Sequence, residues 1–185
     1  MSWYRRWRQP GGLIFFTLVT YDRREMLTSD LAGPLLRSAL ATTRHERFFE
    51  IVAMVLLPEH LHCVWKLPAG DDDYSTRWRL IKTRFTQSIL AAGLAVPAAN
   101  ASQRKHKEQT VWQRRFVEHL VRDEDDLKRH VDYIHFNPVK HGHVRTVADW
   151  PWSTFHKFLD AGEYERTWGQ SQPDSIANWL PAGDA

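Results

Sequence analysis

The sequence predicts one domain in which β-strands and α-helices share a single core. Its 185 residues are enough for one domain with a sizeable interior. Apolar runs rich in branched and aromatic side chains alternate with segments whose apolar residues recur at helical spacing. Hydrophobic residues (43%) and charged residues (25%) occur in the proportions of an ordinary globular protein.

Composition excludes several classes of protein. No apolar run is long enough to predict a membrane span. The N-terminus is basic but lacks the apolar segment and cleavage site of a secretory signal. Cys63 is the only cysteine, which excludes an internal disulfide and a cysteine-rich zinc site. We therefore expect a protein of the reducing cytoplasm with no membrane partner.

The chain begins with a basic aromatic arm, residues 1–12, which ends at a proline and two glycines. Residues 13–20 are rich in branched and aromatic side chains and predict a buried strand. Ser29 or Asp30 can cap a helix that is expected to run to about Arg47.

Two adjacent strands are predicted next. Residues 51–57 are continuously apolar, which indicates a central strand covered on both faces. Pro58 and Glu59 form a tight break, and residues 60–67 are expected to return as the neighbouring strand.

Ser75 is predicted to cap the next helix, and the apolar stripe of that helix favours a place in the core. Residues 93–110 are polar and irregular and indicate a mobile loop. Residues 111–121 contain β-formers and predict a strand, although helical spacing fits them as well.

A third helix is predicted after Asp123, a good cap that is followed by three acidic residues where the helix dipole favours negative charge. Pro138 disfavours helical geometry at the residue before it, so this helix is expected to end at Phe136 or Asn137. Beyond Gly142 the chain is irregular.

Arginines and lysines lie beside aromatic residues at several points, a pattern typical of single-stranded nucleic acid binding, because cations neutralise phosphates and flat rings stack on bases. The net charge of +3 supports this only weakly. In the alternative interpretation the tryptophans are core and the cations are a solvated rim. The candidate DNA contacts are Tyr4, Arg5, Arg6, Trp7, Arg8, Arg77, Arg79, Lys82, Arg84, Arg114 and Arg115.

His60 and His62 are separated by one apolar residue in a predicted strand. Side chains two apart on a strand point to the same face, so the two imidazoles stand side by side. Such a pair suits a metal ion. The alternative is two ordinary histidines on a half-exposed strand, since so short a pattern often occurs by chance.

Tyr133 and Asn137 are four residues apart and are therefore neighbours on one flank of the third helix. Separately they fit a core-edge tyrosine and a helix-end asparagine. Together with His60 and His62 they fit a nucleophile beside a divalent ion held by two imidazoles and an amide oxygen. Attack by Tyr133 on a phosphodiester would leave a covalent phosphotyrosine, which favours strand transfer over simple hydrolysis.

These residues resemble a known family. His60-Leu61-His62 is similar to the histidine–hydrophobic–histidine motif of single-tyrosine transposases, and residues 133–142 resemble the tyrosine helix of the REP-associated tyrosine transposases. Further similar segments follow the same order between about Tyr4 and Phe158: Pro10-Gly11-Gly12, residues 77–82, residues 111–116 and residues 150–153. Glu59 departs from the pattern, which favours Asp or Asn there.

The resemblance implies an α+β fold, a ferredoxin-like antiparallel sheet with packed helices. It implies that Tyr133 is the nucleophile and that His60, His62 and Asn137 bind Mg²⁺ or Mn²⁺, although imidazoles in general favour zinc-like metals. The implied partners are single-stranded DNA hairpins of repeated extragenic palindromes (REPs) in a bacterial cytoplasm. The implied organisation is an arm (1–12), a catalytic domain (13–158) and a C-terminal tail (159–185), in a monomer or a homodimer.

Two other functions stay open at this point. A non-catalytic nucleic-acid-binding protein could keep the same fold without the chemistry. A zinc hydrolase could use His60 and His62, but the sequence offers it no obvious third ligand at short spacing and no general base apart from Glu59.

Overall fold

A four-stranded antiparallel sheet forms the centre of the molecule. The computed structural model describes residues 8–97 and 110–181. The strands are β1 (Leu13–Val19), β2 (Glu50–Leu56), β3 (His60–Lys66) and β4 (Val117–Leu120). They pair in the order β2-β3-β1-β4, each with its neighbour antiparallel.

Helices connect the strands in a ferredoxin-like pattern. Helix α1 (Ala32–Glu46) joins β1 to β2, and α2 (Tyr74–Ala91) precedes β4. The strand order and these crossovers confirm the predicted α+β, ferredoxin-like fold.

The sheet separates two apolar layers. Phe16 on β1 packs with the rings of Trp65 and Trp78 in the layer that contains α1 and α2. Its neighbour Phe15 points the other way and packs near Tyr133 of α3 (Glu124–Lys140). Because β1 is covered on both faces, it is apolar at every position except Thr17 rather than alternating.

The residue that caps the N-terminus is the predicted one in α3 but not in α2. Asp123 accepts a hydrogen bond from the backbone N–H of Asp126 (2.7 Å), as predicted for the start of α3. At α2 the acceptor is Asp73, which bonds the N–H of Thr76 (3.0 Å), so the prediction that Ser75 caps this helix is wrong.

Helix α3 continues through Pro138 to Lys140, so the predicted end at Phe136 or Asn137 is also wrong. A proline inside a helix lacks the N–H for one helical bond and crowds the preceding turn, but Pro138 lies close to the end of α3, where only two more residues follow it, and its ring is buried. The helix then closes with a bond from the His143 N–H to the Pro138 carbonyl (2.9 Å).

Residues 111–121 form a strand only at their end, in β4. Before it, Trp112 makes an isolated antiparallel bridge with Thr20, which extends the edge of the sheet. Most of the predicted loop 93–110 lies outside the described residues.

The chain after α3 covers one edge of the sheet and then crosses α3. The Leu56 N–H donates to the Trp152 carbonyl, and the Thr154 N–H donates to the Met54 carbonyl (both 2.8 Å). The short helix α4 (Phe155–Asp160) follows. None of the helices in the described part of the chain is long and apolar enough to cross a membrane.

Candidate functional site

Strand β3 turns its two histidines toward α3. His60 and His62 are 3% and 0% exposed, and their ring centroids are 4.8 Å apart. Leu61 and Cys63 point to the opposite layer. The structure thus brings the two imidazoles together on one face, as strand spacing predicts.

Each imidazole is oriented through its Nδ1 atom. Glu59 Oε1 lies 2.8 Å from Nδ1 of His60, so the glutamate that departs from the family pattern reaches this ring. Thr17, the cross-strand partner of His62, places its hydroxyl oxygen 2.9 Å from Nδ1 of that ring. With Nδ1 engaged, Nε2 is the nitrogen that each ring presents to a cation.

The surroundings of His62 favour the neutral imidazole. Burial, followed by the charges of His60 and Lys140, holds the pKa of His62 well below its ordinary value. A neutral imidazole is the form that binds a metal ion. Burial by itself raises the pKa of Glu59, but the adjacent His60 outweighs it, so the net pKa lies below its usual range and the carboxylate stays charged.

Tyr133 approaches this pair from α3, and Asn137 lies buried one turn further along the same helix. The Tyr133 ring lies 5.2 Å from the His62 ring, centroid to centroid. Lys140, two turns further along the helix, donates a hydrogen bond to the Tyr133 hydroxyl (3.2 Å). The site therefore combines a phenol, an ammonium group and two imidazoles at the junction of β3 and α3.

Two buried polar groups at this junction lack hydrogen bonds within the described part of the chain. They are Nε2 of His62 and both side-chain atoms, Oδ1 and Nδ2, of the fully buried Asn137. A buried polar group without a partner typically costs about 1–3 kcal/mol. An acceptor nitrogen and an amide oxygen in this state fit a cation as their missing partner.

A segment from the C-terminal part of the chain covers Tyr133. The Trp179 ring lies 5.9 Å from the Tyr133 ring and 4.7 Å from that of His130. Tyr133 is only 1% exposed as a result of its packing. Phe15, His62 and Lys140 also pack against Tyr133, so Trp179 is one of several side chains that bury it.

Asp132 on α3 anchors the covering segment. Its carboxylate accepts hydrogen bonds from the Tyr164 hydroxyl and from Ser175 Oγ (2.6 Å). Lys128 of the same helix also bonds this carboxylate (2.7 Å).

A second group with metal-ligand chemistry includes His130, which lies one turn before Tyr133 on α3. His119 of β4 with Asp126 and His130 of α3 offer three ligand atoms, all within 4.8 Å of one another, which is close enough to hold a metal ion. The group also has hydrogen bonds of its own, because His119 Nε2 lies 2.8 Å from Asp126 Oδ2 and His130 Nδ1 donates to the Asp126 carbonyl (2.7 Å).

Burial and hydrogen bonds together set the protonation of this second group. Burial lowers the pKa of His130 to about 4, despite the nearby Asp126. Burial raises the pKa of Asp126, but the hydrogen bond with His119 and the Arg122 backbone N–H outweigh that effect and the net pKa is about 2. At neutral pH His130 is therefore neutral and Asp126 is ionised.

Arg77 does not reach the surface, and the structure does not support the phosphate contact predicted for it. Its side chain is buried and pairs with Asp71 (2.7 Å). The guanidinium also donates to the Phe48 carbonyl (2.8 Å) and the Arg47 carbonyl (3.2 Å). These bonds tie the start of α2 to the turn between α1 and β2.

The other predicted cations of α2 lie on the layer opposite Tyr133. Arg79 is exposed. Lys82 donates to the Gln113 carbonyl (2.7 Å), and Arg84 pairs with Glu46 (2.5 Å). The sheet thus separates these side chains from the tyrosine.

The remaining predicted contacts come from other segments. Arg114 and Arg115 are exposed just before β4, and Arg8 is exposed 3.7 Å from Asp72. Four candidates lie outside the described residues: Tyr4, Arg5, Arg6 and Trp7.

Several residues of the site were not predicted from the sequence. Lys140 carried a usable signal, because a spacing of seven residues places it on the same helix face as Tyr133. His141, whose ring lies 5.3 Å from that of His60, lies within the family-like segment but no role was assigned to it. Thr17 and Trp179 gave no local signal, since strand register and the path of the C-terminal segment bring them to the site.

Comparison with known proteins gives close relatives. No protein-family model matches the chain. The REP-associated tyrosine transposase of Escherichia coli K12 is 45% identical over 178 residues, 96% of each chain. A protein of Haemophilus influenzae, described as a REP-associated tyrosine transposase, is 44% identical over 174 residues, 94% of this chain and 96% of the relative.

A solved structure is similar over the same length. It is a REP-associated tyrosine transposase bound to a REP hairpin, with a TM-score of 0.77 and 44% identity over 94% of each chain. Identity at this level over nearly the whole length, with the same fold, confirms the resemblance found in the sequence. The chain belongs to the family of REP-associated tyrosine transposases.

Proposed function

We propose that this protein cleaves and rejoins single-stranded DNA at palindromic hairpin repeats through a covalent 5′-phosphotyrosine at Tyr133. The observation that carries the proposal is the position of Tyr133, which lies against His62 and within hydrogen-bonding distance of Lys140. Its relatives are tyrosine transposases, and the related solved structure holds a REP hairpin, which supports the same class of substrate here.

The proposed cofactor is Mg²⁺ or Mn²⁺, held by Nε2 of His60 and His62 and by Oδ1 of Asn137. A divalent cation there would polarise the scissile phosphate and offset the charge that develops on it. The choice of metal rests on the family resemblance, because paired imidazoles by themselves suit zinc equally well. The His119–Asp126–His130 group is a second place where an ion could bind.

The reaction needs no water as a reactant. The Tyr133 oxygen attacks phosphorus, the new O–P bond forms as the bond from phosphorus to the 3′ oxygen breaks, and the phenolic proton leaves as the 3′ oxygen becomes a hydroxyl. Lys140 stabilises negative charge on the tyrosine oxygen, since a charged donor makes a strong hydrogen bond to an oxyanion. Attack by another 3′ hydroxyl reverses the step and rejoins the DNA.

Exposed cations are proposed to hold the phosphates of the hairpin. Arg8, Arg79, Arg114 and Arg115 are exposed and suited to this role. Lys82 and Arg84 would need to exchange their present partners for phosphates. The N-terminal candidates Tyr4, Arg5, Arg6 and Trp7 complete the proposed set.

The test uses a hairpin oligonucleotide with single-stranded flanks, incubated with the protein and Mn²⁺, Mg²⁺ or EDTA. A denaturing gel should show a covalent protein–DNA adduct and a free 3′ hydroxyl product only with a divalent metal. Tyr133→Phe should bind the hairpin and form no adduct. Tyr74→Phe, on the opposite layer of the sheet, is the matched control and should retain the adduct. An undiminished adduct with Tyr133→Phe would overturn the proposal.

A second candidate function is hairpin binding without chemistry. The cover of Trp179 over Tyr133 is the observation that favours it, because the nucleophile is not open to solvent. Hairpin binding by the wild-type protein with no adduct in any metal would support this alternative.

A further inference from the structure

Three aromatic rings continue from the histidine pair along the surface of the molecule. They are His141, His143 and Trp150, and we name them the aromatic ledge. The His141 ring lies 5.3 Å from the His60 ring, the His143 ring 6.2 Å from that of His141, and the Trp150 ring 5.3 Å from that of His143. The ledge therefore begins directly beside the candidate metal ligands.

The rings of the ledge lie nearly parallel. The planes of His141 and His143 differ by 27°, and those of His143 and Trp150 by 25°. His60 instead meets His141 edge-on, at 70°. The rings of the ledge therefore share an orientation that the His60 ring does not have.

The backbone after α3 places the two histidines in this line. Gly142 has a φ of 73°, a left-handed backbone conformation that residues other than glycine rarely adopt. The His143 N–H then bonds back to the Pro138 carbonyl, which closes the end of the helix. Because the chain reverses at Gly142, His141 and His143 stack on each other.

Trp150 gives the ledge a fixed end. Its indole N–H donates to the carbonyl of Leu56 (2.9 Å), and its own carbonyl accepts from His156 Nε2 (2.9 Å). One bond holds the ring and the other holds the backbone, so the tryptophan is attached to the end of β2.

Packing alone does not account for the ledge. Trp150 is half-buried against the core, but His141 and His143 are exposed, so the two histidines do not lie in the core. Exposed flat rings in a row are the surface on which unpaired bases stack in single-stranded nucleic acid binding. The position beside His60 specifies which bases these would be.

We propose that the aromatic ledge is a base-binding subsite, on which the unpaired bases next to the scissile phosphate stack. This inference rests on the proposed function, since it requires a DNA strand to pass over the histidine pair. Base stacking tolerates any sequence, so the ledge holds and orders the strand without reading it.

The first test maps the contact by photocross-linking. 5-Iododeoxyuridine is placed singly at each unpaired position flanking the cleavage site, in complexes of the Tyr133→Phe protein with Mn²⁺. The positions next to the scissile phosphate should cross-link to His143 or Trp150, and an iodouracil in the hairpin stem should not. Cross-links from those positions that map only outside the ledge would overturn the proposal.

The second test is a double-mutant cycle between protein and DNA. His143→Ala should weaken hairpin binding by about 5-fold to 100-fold, the range expected for one stacked base. An abasic nucleotide at the cross-linked position should weaken hairpin binding by the parent protein to a similar extent. When both changes are combined, the loss of affinity should be no larger than for either change alone. His45→Ala, an exposed histidine on α1, is the matched control and should leave binding unchanged.

The adduct assay is run in parallel with wild-type protein, so that the two proposals can fail separately. If the wild-type protein forms the adduct but His143→Ala leaves hairpin binding unchanged, the ledge proposal alone is overturned. The same holds if the adduct forms and the affinity losses from His143→Ala and from the abasic nucleotide add. Absence of both adduct and hairpin binding overturns the ledge and the proposed function together.

Discussion

Asn137 is the residue at which stability and the proposed metal binding oppose each other most clearly. Its amide is fully buried, and neither polar atom has a hydrogen-bond partner within the described part of the chain. Burial removes the hydrogen bonds that this amide makes to water, and no hydrogen bond within the described part of the fold replaces them, which lowers the stability of the folded state. His62 shares the feature at Nε2, which places the two unsatisfied groups on the two elements that form the site.

Replacing the amide by an apolar side chain tests this directly. Asn137→Leu should raise the free energy of unfolding of the metal-free protein by about 1 kcal/mol, because a buried unsatisfied group is removed. It should also weaken Mn²⁺ binding at least tenfold, the range expected for losing one ligand or its support. Urea unfolding and electron paramagnetic resonance of free Mn²⁺ measure the two effects.

The control for this substitution is Asn178→Leu, at an exposed position, which should change neither quantity. Unchanged Mn²⁺ affinity in Asn137→Leu would remove Asn137 from the proposed set of ligands.

Helix α3 is the element that organises the site, because one helix carries Tyr133, Asn137 and Lys140. Its start could be predicted from Asp123 and the acidic first turn, which are local signals. Its end could not, because the bonds that continue it past Pro138 depend on the turn that follows. The segment that crosses it was predicted only as a tail of undecided role, and the division of the chain at residue 158 stays a prediction.

Removing the cover of Tyr133 should speed the proposed reaction. In Trp179→Ala the initial rate of adduct formation should rise about fivefold, since roughly 1 kcal/mol of ring contact no longer has to be broken. The measurement is the rate of adduct formation on a denaturing gel at saturating hairpin. Leu180→Ala, an exposed neighbour, should leave the rate unchanged. A slower rate in Trp179→Ala would show that the tryptophan assists the reaction.

At the scale of the whole molecule, the C-terminal segments and α3 share the core on one side of the sheet. His135 of α3 lies within this core beside the Phe158 ring, and its Nε2 lies 3.0 Å from Thr154 Oγ1. Burial lowers the pKa of His135 to about 3, although Asp132 opposes this and His156 adds to it. The stability of the fold is therefore linked to pH.

The sign of this linkage follows from the two pKa values. The unfolded histidine has a pKa near 6.5 and the folded one a pKa of about 3, so the unfolded state binds more protons between these limits. The contribution of His135 is complete above about pH 6.5 and is lost as pH falls toward 3. Between pH 7 and pH 4 it amounts to roughly 3 kcal/mol.

His135→Phe should make stability less dependent on pH in this window. Its free energy of unfolding should fall less than that of the wild type between pH 7 and pH 4, as measured by urea unfolding. Exposed His45→Phe should behave like the wild type. Parallel pH profiles for His135→Phe and the wild type would contradict the prediction.

Much of the fold and half of the candidate site follow from local sequence. Apolar periodicity indicated the strands and helices, and a spacing of two on a strand brought His60 and His62 to one face. A spacing of four on a helix paired Tyr133 with Asn137. These relations hold because the geometry of a strand or helix relates residues that are close in the chain.

Only the tertiary structure decided which distant residues complete or cover the site. The register of β1 against β3 brought Thr17 to His62, and the path after α4 brought Trp179 over Tyr133. Packing also buried Arg77, a residue that the pattern of cations beside aromatic side chains marked as a DNA contact. Such contacts join residues far apart in the chain, and they depend on how whole elements pack, which no local pattern of residues specifies.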